Sequence, residues 1–199
     1  MRPPQAGRRY NELMKLDRKV KALFLAGPLL IAAAACRTPK AFGPSQRSEL
    51  AQSVTRDWSE GARLTANRLI EKYGPPDAIA SGALAWKNKP PWRRILVWDD
   101  PLGGNLEEAV SYRVPDGKRA ALKALDGIVQ VSPDGAELSA QSSGEPNNFL
   151  ALNIAHEIIR GDMNPADARH FYDKTLDLAA SGKTSRYLQG LLFGAGSGP

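Results

Sequence analysis

Residues 15–36 read KLDRKVKALFLAGPLLIAAAAC, and no other stretch limits so strongly what this chain can fold into. Lys15, Arg18, Lys19 and Lys21 lead into an uncharged, apolar run of 14 residues from Ala22 to Ala35. That is shorter than the ~18–20 residues needed to cross a ~30 Å hydrocarbon core as a permanent span. A buried helix of a globular core is disfavoured too, because Pro28 in mid-run removes a backbone hydrogen bond and costs roughly 3 kcal/mol. A basic lead-in, a short apolar run and then small residues make the pattern of a removable export signal, with the positive charges held on the cytoplasmic side. The folded domain must then come from the 164 residues beginning at Cys36. A chain of that size forms one core and buries roughly 68–70% of its unfolded surface.

Ala33-Ala34-Ala35-Cys36 resembles the lipobox of bacterial lipoproteins. The resemblance implies that the Cys36 sulfur carries a diacylglycerol, that the chain is cut just before it, and that the new amino group is acylated. Residues 1–35 are then a lipoprotein signal peptide. Ala33 stands where the commonest lipobox has Leu. An ordinary secretory signal ending in A-x-A is the competing reading, since both kinds of signal end in small residues. Met14 is an alternative start that leaves a signal of ordinary proportions, whereas Arg8-Arg9 lie too far from the apolar run for a twin-arginine signal.

Formal net charge is +6, which invites a nucleic-acid reading. The excess is local. Of 27 basic and 21 acidic side chains, residues 1–35 hold seven and two, leaving 20 against 19 from Cys36 onward. Displacing counterions from phosphates needs a basic surface, and Arg93-Arg94 and Lys118-Arg119 are isolated pairs; nucleic acid is not an expected partner. A single cysteine also excludes an internal disulfide.

Residues 36–46, with RTPKAFGPSQ after the cysteine, read as a flexible stalk, and residues 47–193 as a single α+β domain. A short helix is expected over Ser48–Trp58. In the next, Ala66, Leu69, Ile70 and Tyr73 form one apolar stripe, ended by Gly74 and Pro75-Pro76. Strands are expected at Ala83–Lys87, Arg93–Trp98 and Ala109–Val114, with Ile95–Trp98 covered on both faces. Asp116 is expected to cap a short helix closed by Gly127. Ile128–Val131 and Ala136–Ala140 flank a Ser-Pro-Asp-Gly turn, a hairpin signal. Two helices follow, the first with Ala151, Ile154, Ala155, Ile158 and Ile159 inward, the second capped by Asn164 with Pro165 in its first turn. Tyr187–Phe193 is an apolar strap, and residues 194–199 a disordered tail. The expected architecture is an antiparallel sheet of about five strands with helices packed on it.

Chemistry-bearing motifs are sparse. His156-Glu157 begins an H-E-x-x-H zinc site, but Arg160 occupies the second histidine position. His170, with Glu157 or Asp173, offers a metal pair only across a helix hairpin; solvated helix-surface histidines are the more common case. Asp99-Asp100 follow a strand, where paired carboxylates do acid/base work or simply open a turn. No G-x-S-x-G, P-loop or G-x-G-x-x-G occurs. Catalytic, cofactor and metal residues are therefore not assigned. Trp86, Trp92 and Trp98 lie close in sequence to Arg93 and Arg94, a combination enriched in binding hot spots. Trp86, Trp92, Arg93 and Arg94 are the candidate partner surface; the competing reading puts the rings in the core.

Tyr73-Gly-Pro-Pro-Asp77, Leu84-Ala-Trp86, Pro91-Trp-Arg-Arg94, Ser111-Tyr-Arg-Val-Pro115 and Asn148-Phe-Leu-Ala-Leu-Asn153 resemble a family of uncharacterised bacterial envelope lipoproteins. The likeness covers roughly residues 60–180 and implies no known activity. Residues 64–98 are more loosely similar to SmpA/OmlA-type outer-membrane assembly lipoproteins. The expected function is a lipid-anchored, non-enzymatic binding or scaffold protein of the cell envelope, held to the membrane through Cys36 and meeting another envelope protein. Arg37 stands where some bacteria place the Asp of inner-membrane retention, so the outer membrane, facing the periplasm, is the expected site; inner-membrane anchoring stays open. The alternatives are a tethered hydrolase using Asp99, Asp100, His156 or His170, and a periplasmic ligand-binding module.

Overall fold

A computed structural model describes residues 43–194. The expected signal peptide, Cys36, the expected stalk up to residue 42 and residues 195–199 of the expected tail lie outside the described residues.

Helix α1 spans Pro44–Thr55, with Pro44 in its first turn and the Gln46 side chain accepting from the Gly43 amide at 3.0 Å. It begins three residues inside the expected stalk and stops short of Trp58. Helix α2, Glu60–Tyr73, buries Ala62, Thr65, Ala66 and Leu69 and ends at Gly74, whose φ of +78° favours glycine. The two helices pack on each other, and Trp58 in the joint donates its indole N–H to the Ser81 carbonyl at 2.9 Å.

The sheet has six strands in the order β1-β2-β3-β4-β6-β5, every pair antiparallel. β1 is Ala78–Ala80, β2 Ala83–Lys89, β3 Trp92–Trp98, β4 Leu106–Ser111, β5 Val129–Val131 and β6 Glu137–Ser142. β1, too short to show alternation, is the strand that sequence reading missed. β4 lies three residues earlier than expected, because Glu107 and Glu108 look like loop residues yet are 1% and 0% exposed. β3 is buried from Arg94 to Trp98, as a strand covered on both faces should be. Between β4 and β5 the expected helix is two 3₁₀ turns, Asp116–Lys118 and Ala121–Leu125. The β5–β6 hairpin forms as expected, with Gly135 at φ +70° in its turn.

Helix α3, Glu145–Arg160, buries more than its predicted stripe: Asn148, Phe149, Leu150, Leu152 and Asn153 are also shut from water. It packs on β4, β5 and β6, and is wrapped by α4 (Pro165–Ala180), the Ala121–Leu125 turn and a 3₁₀ turn at Arg186–Leu188. Asn164 caps α4 by accepting from the Ala166 amide at 3.1 Å. The carboxy-terminal strap docks as expected. Asn153 holds it with three hydrogen bonds, donating to Tyr187 O (3.1 Å) and Gly190 O (2.8 Å) and accepting from Leu192 N (2.8 Å). Among the described residues no helix is long and apolar enough to cross a membrane.

Candidate functional site

The proposed tryptophan surface does not exist as a surface. Trp86 is 0% and Trp92 1% exposed, and each indole N–H is satisfied inside the fold. Trp86 donates to the Gly74 carbonyl at 2.8 Å. Trp92, at the start of β3, turns to the helix side, stacks on Phe149 at 5.2 Å and donates to Glu145 Oε1 at 2.8 Å. Arg94 is buried with them, 2.6 Å from Glu107 and 2.8 Å from Glu137. Burial works against its charge, and the two carboxylates outweigh that, so the guanidinium holds its proton more tightly than in water. Of the four residues only Arg93 reaches solvent, 3.6 Å from Glu137. The indoles went inward because each found an acceptor at the end of its ring; buried tryptophan is tolerated where its N–H is paired.

Among the described residues, no hydrogen bond or ion pair joins any two of the four candidate hydrolytic residues. Asp99 accepts from the amide and hydroxyl of Ser59 at 2.9 and 2.8 Å, tying the end of β3 to the start of α2. Asp100 accepts from the Leu102 amide at 3.0 Å, a turn-opening role. His156 lies 2.8 Å from the Tyr112 hydroxyl and stacks on Phe193 at 4.6 Å. Burial, then the charge of Arg160, pushes its pKa down, so the ring is predominantly neutral near pH 7. His170 is exposed on α4; Glu157 accepts from the Tyr187 hydroxyl, and Asp173 pairs with Arg169 at 3.1 Å. Among the described residues no group of three or more His, Cys, Asp or Glu side chains is placed to hold a metal ion.

The densest polar chemistry lies at the first turn of α3. Glu145 accepts from Lys72, the Tyr73 hydroxyl and the Trp92 indole, linking α2, β3 and α3 through one carboxylate. Burial pushes its pKa up, but these donors outweigh it and hold it below the usual carboxylate value. One turn on, Asn148 donates to Glu108 Oε2 at 3.0 Å. Burial, then the neighbouring Glu145 charge, pushes Glu108 up to about 8. Tyr73 is raised as well, by burial and by Glu145. Two carboxylates with oppositely shifted pKa values resemble an acid/base pair. The geometry instead makes them a clasp, because Glu108 is fully buried and both oxygens of Glu145 are occupied. Sequence reading missed these residues, since carboxylates in a strand and at a helix start carry no distinguishing pattern.

A shallow groove of about 460 Å³ between α1 and α2 is lined by Gln52, Thr55, Arg56, Arg63, Asn67, Ile70 and Glu71. Its arginines are exposed and a carboxylate shares the wall. Comparison with family models, curated proteins and solved structures finds no match to this chain.

Proposed function

We propose that this protein is a lipid-anchored component of the cell envelope, cut before Cys36, acylated there, and acting by binding another envelope protein rather than by catalysis. The outer membrane, with the domain facing the periplasm, is the proposed location. The observation that carries the reading is the order of residues 15–36: basic lead-in, 14 apolar residues, three small residues, lone cysteine. The fold is compatible with a tether. Seven residues, Cys36–Phe42, precede Gly43, and at roughly 3.3 Å per extended residue they reach about 23 Å. The non-enzymatic part is supported by the contacts of Asp99, Asp100 and His156, each engaged in holding the fold.

Mass spectrometry of the protein purified from its native cells is the direct test. A chain beginning at Cys36, heavier by a diacylglyceryl group and one further acyl chain, is the expected result. A free Cys36 thiol, or a leader still attached in soluble cytosol, overturns it. Alanine at Asp99, Asp100, His156 and His170 tests the second half. Function retained in cells supports a binding protein, and function lost with folding intact supports the hydrolase.

A further inference from the structure

A buried carboxylate needs hydrogen-bond donors on both oxygens, and Glu108 has a donor on only one. Its Oε2 accepts from Asn148 Nδ2 at 3.0 Å, while its Oε1 has no hydrogen-bond partner among the described residues. Asn148 shows the same gap on its own side, since its Oδ1 is also buried without a donor. Turning the amide over does not cure this. Nδ2 also lies 3.4 Å from the Leu106 carbonyl, which can only accept, so exchanging the amide's oxygen and nitrogen sets oxygen against two acceptors. A single proton on Glu108 fills both gaps.

The walls of this place belong to residues 43–194. Glu108 stands opposite Ile95 of β3 and Ala140 of β6, both in the core that α3 joins, and Asn148 comes from the start of that helix. Both residues are 0% exposed. A charge held there against one neutral donor is far costlier to bury than a neutral acid. The charged and titratable groups that face Glu108 are few. From α3, Glu145 repels it; from α2, Lys72 attracts it but is bound to Glu145, and the Tyr73 phenol is kept protonated by burial and by both carboxylates. β3 and β6 present the apolar Ile95 and Ala140. On its own strand, Glu107 alternates to the opposite face and meets Arg94.

We propose that Glu108 is carried in the fold as a neutral acid whose Oε1–H donates to Asn148 Oδ1, closing a reciprocal acid–amide pair, and that loss of this proton as pH rises unlatches the first turn of α3 from the sheet. The proton passes to solvent. What stays behind is a second negative charge beside Glu145, the carboxylate on which α2, β3 and α3 meet through Lys72, Tyr73 and Trp92. The like charges push the start of α3 off β4, and the seam between α2 and α3 loosens while the far end of α3 stays packed. The switch is closed in acid and neutral surroundings and open in alkaline ones, whether or not Cys36 is acylated.

Infrared difference spectra of the full chain between pH 6 and pH 9 test the protonation. The carbonyl band of a protonated carboxyl, present at pH 6 and lost with a midpoint of about 8, is expected in the natural sequence and absent from Glu108→Gln. No such band, or one that persists in Glu108→Gln, overturns the neutral acid. Glu145→Gln removes the neighbouring charge and should move the midpoint to lower pH; an unmoved midpoint overturns the coupling. The band and this shift are read without Glu108→Gln, so the proposal stays testable if that variant does not fold. Glu108→Gln imitates the neutral acid, because its amide can donate to Asn148 Oδ1 and accept from Nδ2 at every pH. Amide exchange compared between the two proteins at one pH then tests the latch. At pH 9 the amides of Asn147, Asn148 and Phe149 should exchange several-fold faster in the natural chain than in Glu108→Gln, with no difference at pH 6 and none at Ile158 and Ile159 at either pH. Equal rates at pH 9, or an acceleration that reaches Ile158 and Ile159, overturn it.

Discussion

Glu108 and Asn153 show how single polar side chains set the fold's behaviour. Glu108 has an ordinary carboxyl value of 4.5 when unfolded and about 8 in the fold. Below pH 4.5 both states hold its proton and the residue adds no slope. Between 4.5 and 8 the folded protein keeps a proton that the unfolded chain has released, so stability falls as pH rises, by about 1.4 kcal/mol per unit. Above 8 its contribution is flat. Urea unfolding at pH 5, 7 and 9 should show Glu108→Gln removing this loss, on the order of 4 kcal/mol across the window; parallel curves for the two proteins would mean that Glu108 is ionised in the fold. Asn153 is a separate case, since all three of its hydrogen bonds go to the backbone of the strap. Asn153→Ala should cost roughly 1–3 kcal/mol and speed amide exchange at Leu192 more than at Ile154 in α3.

At the scale of elements, turns and helix ends decide where strands and helices stop. Gly135 and Gly161 both have positive φ, +70° and +89°. A Cβ at Gly161 meets open space, whereas at Gly135 it falls 2.6 Å from the Arg119 guanidinium and 3.1 Å from the Val114 carbonyl. Gly161→Ala should therefore lose only the backbone term, about 1 kcal/mol. Gly135→Ala should lose more, because Arg119 must also release its bonds to the Ser132 and Pro133 carbonyls, and the order of the two melting temperatures checks it. Much at this scale was legible in the sequence. Asn164-Pro165, Gly161 and the Ser-Pro-Asp-Gly turn act through the few residues beside them, so local sequence suffices to read them. The start of β4 was not, because Glu108 is accommodated there by Asn148, 40 residues away, and Glu107 by Arg94 on the neighbouring strand.

At the scale of the whole fold, residues 43–194 form a sheet covered on one face by four helices, and the side chains of its second face are buried as well. Ile95 and Leu96 sit side by side in β3 but face opposite sides of the sheet. In the full chain Ile95→Ala and Leu96→Ala should each cost about 2–5 kcal/mol in urea; a Leu96 variant costing well under that range would show the second face to be wet. The sequence by itself determined the α+β class, the order of most elements, the caps and turns, and the basic-apolar-cysteine pattern that motivates the tether, because each rests on neighbours within a few positions. Only the tertiary structure decided which way the tryptophans turn, that Arg94 and Glu108 are interior, and that one carboxylate joins α2, β3 and α3. A side chain's burial depends on what distant strands and helices bring against it, and Trp92, Glu145 and Tyr73 meet across 72 residues of chain.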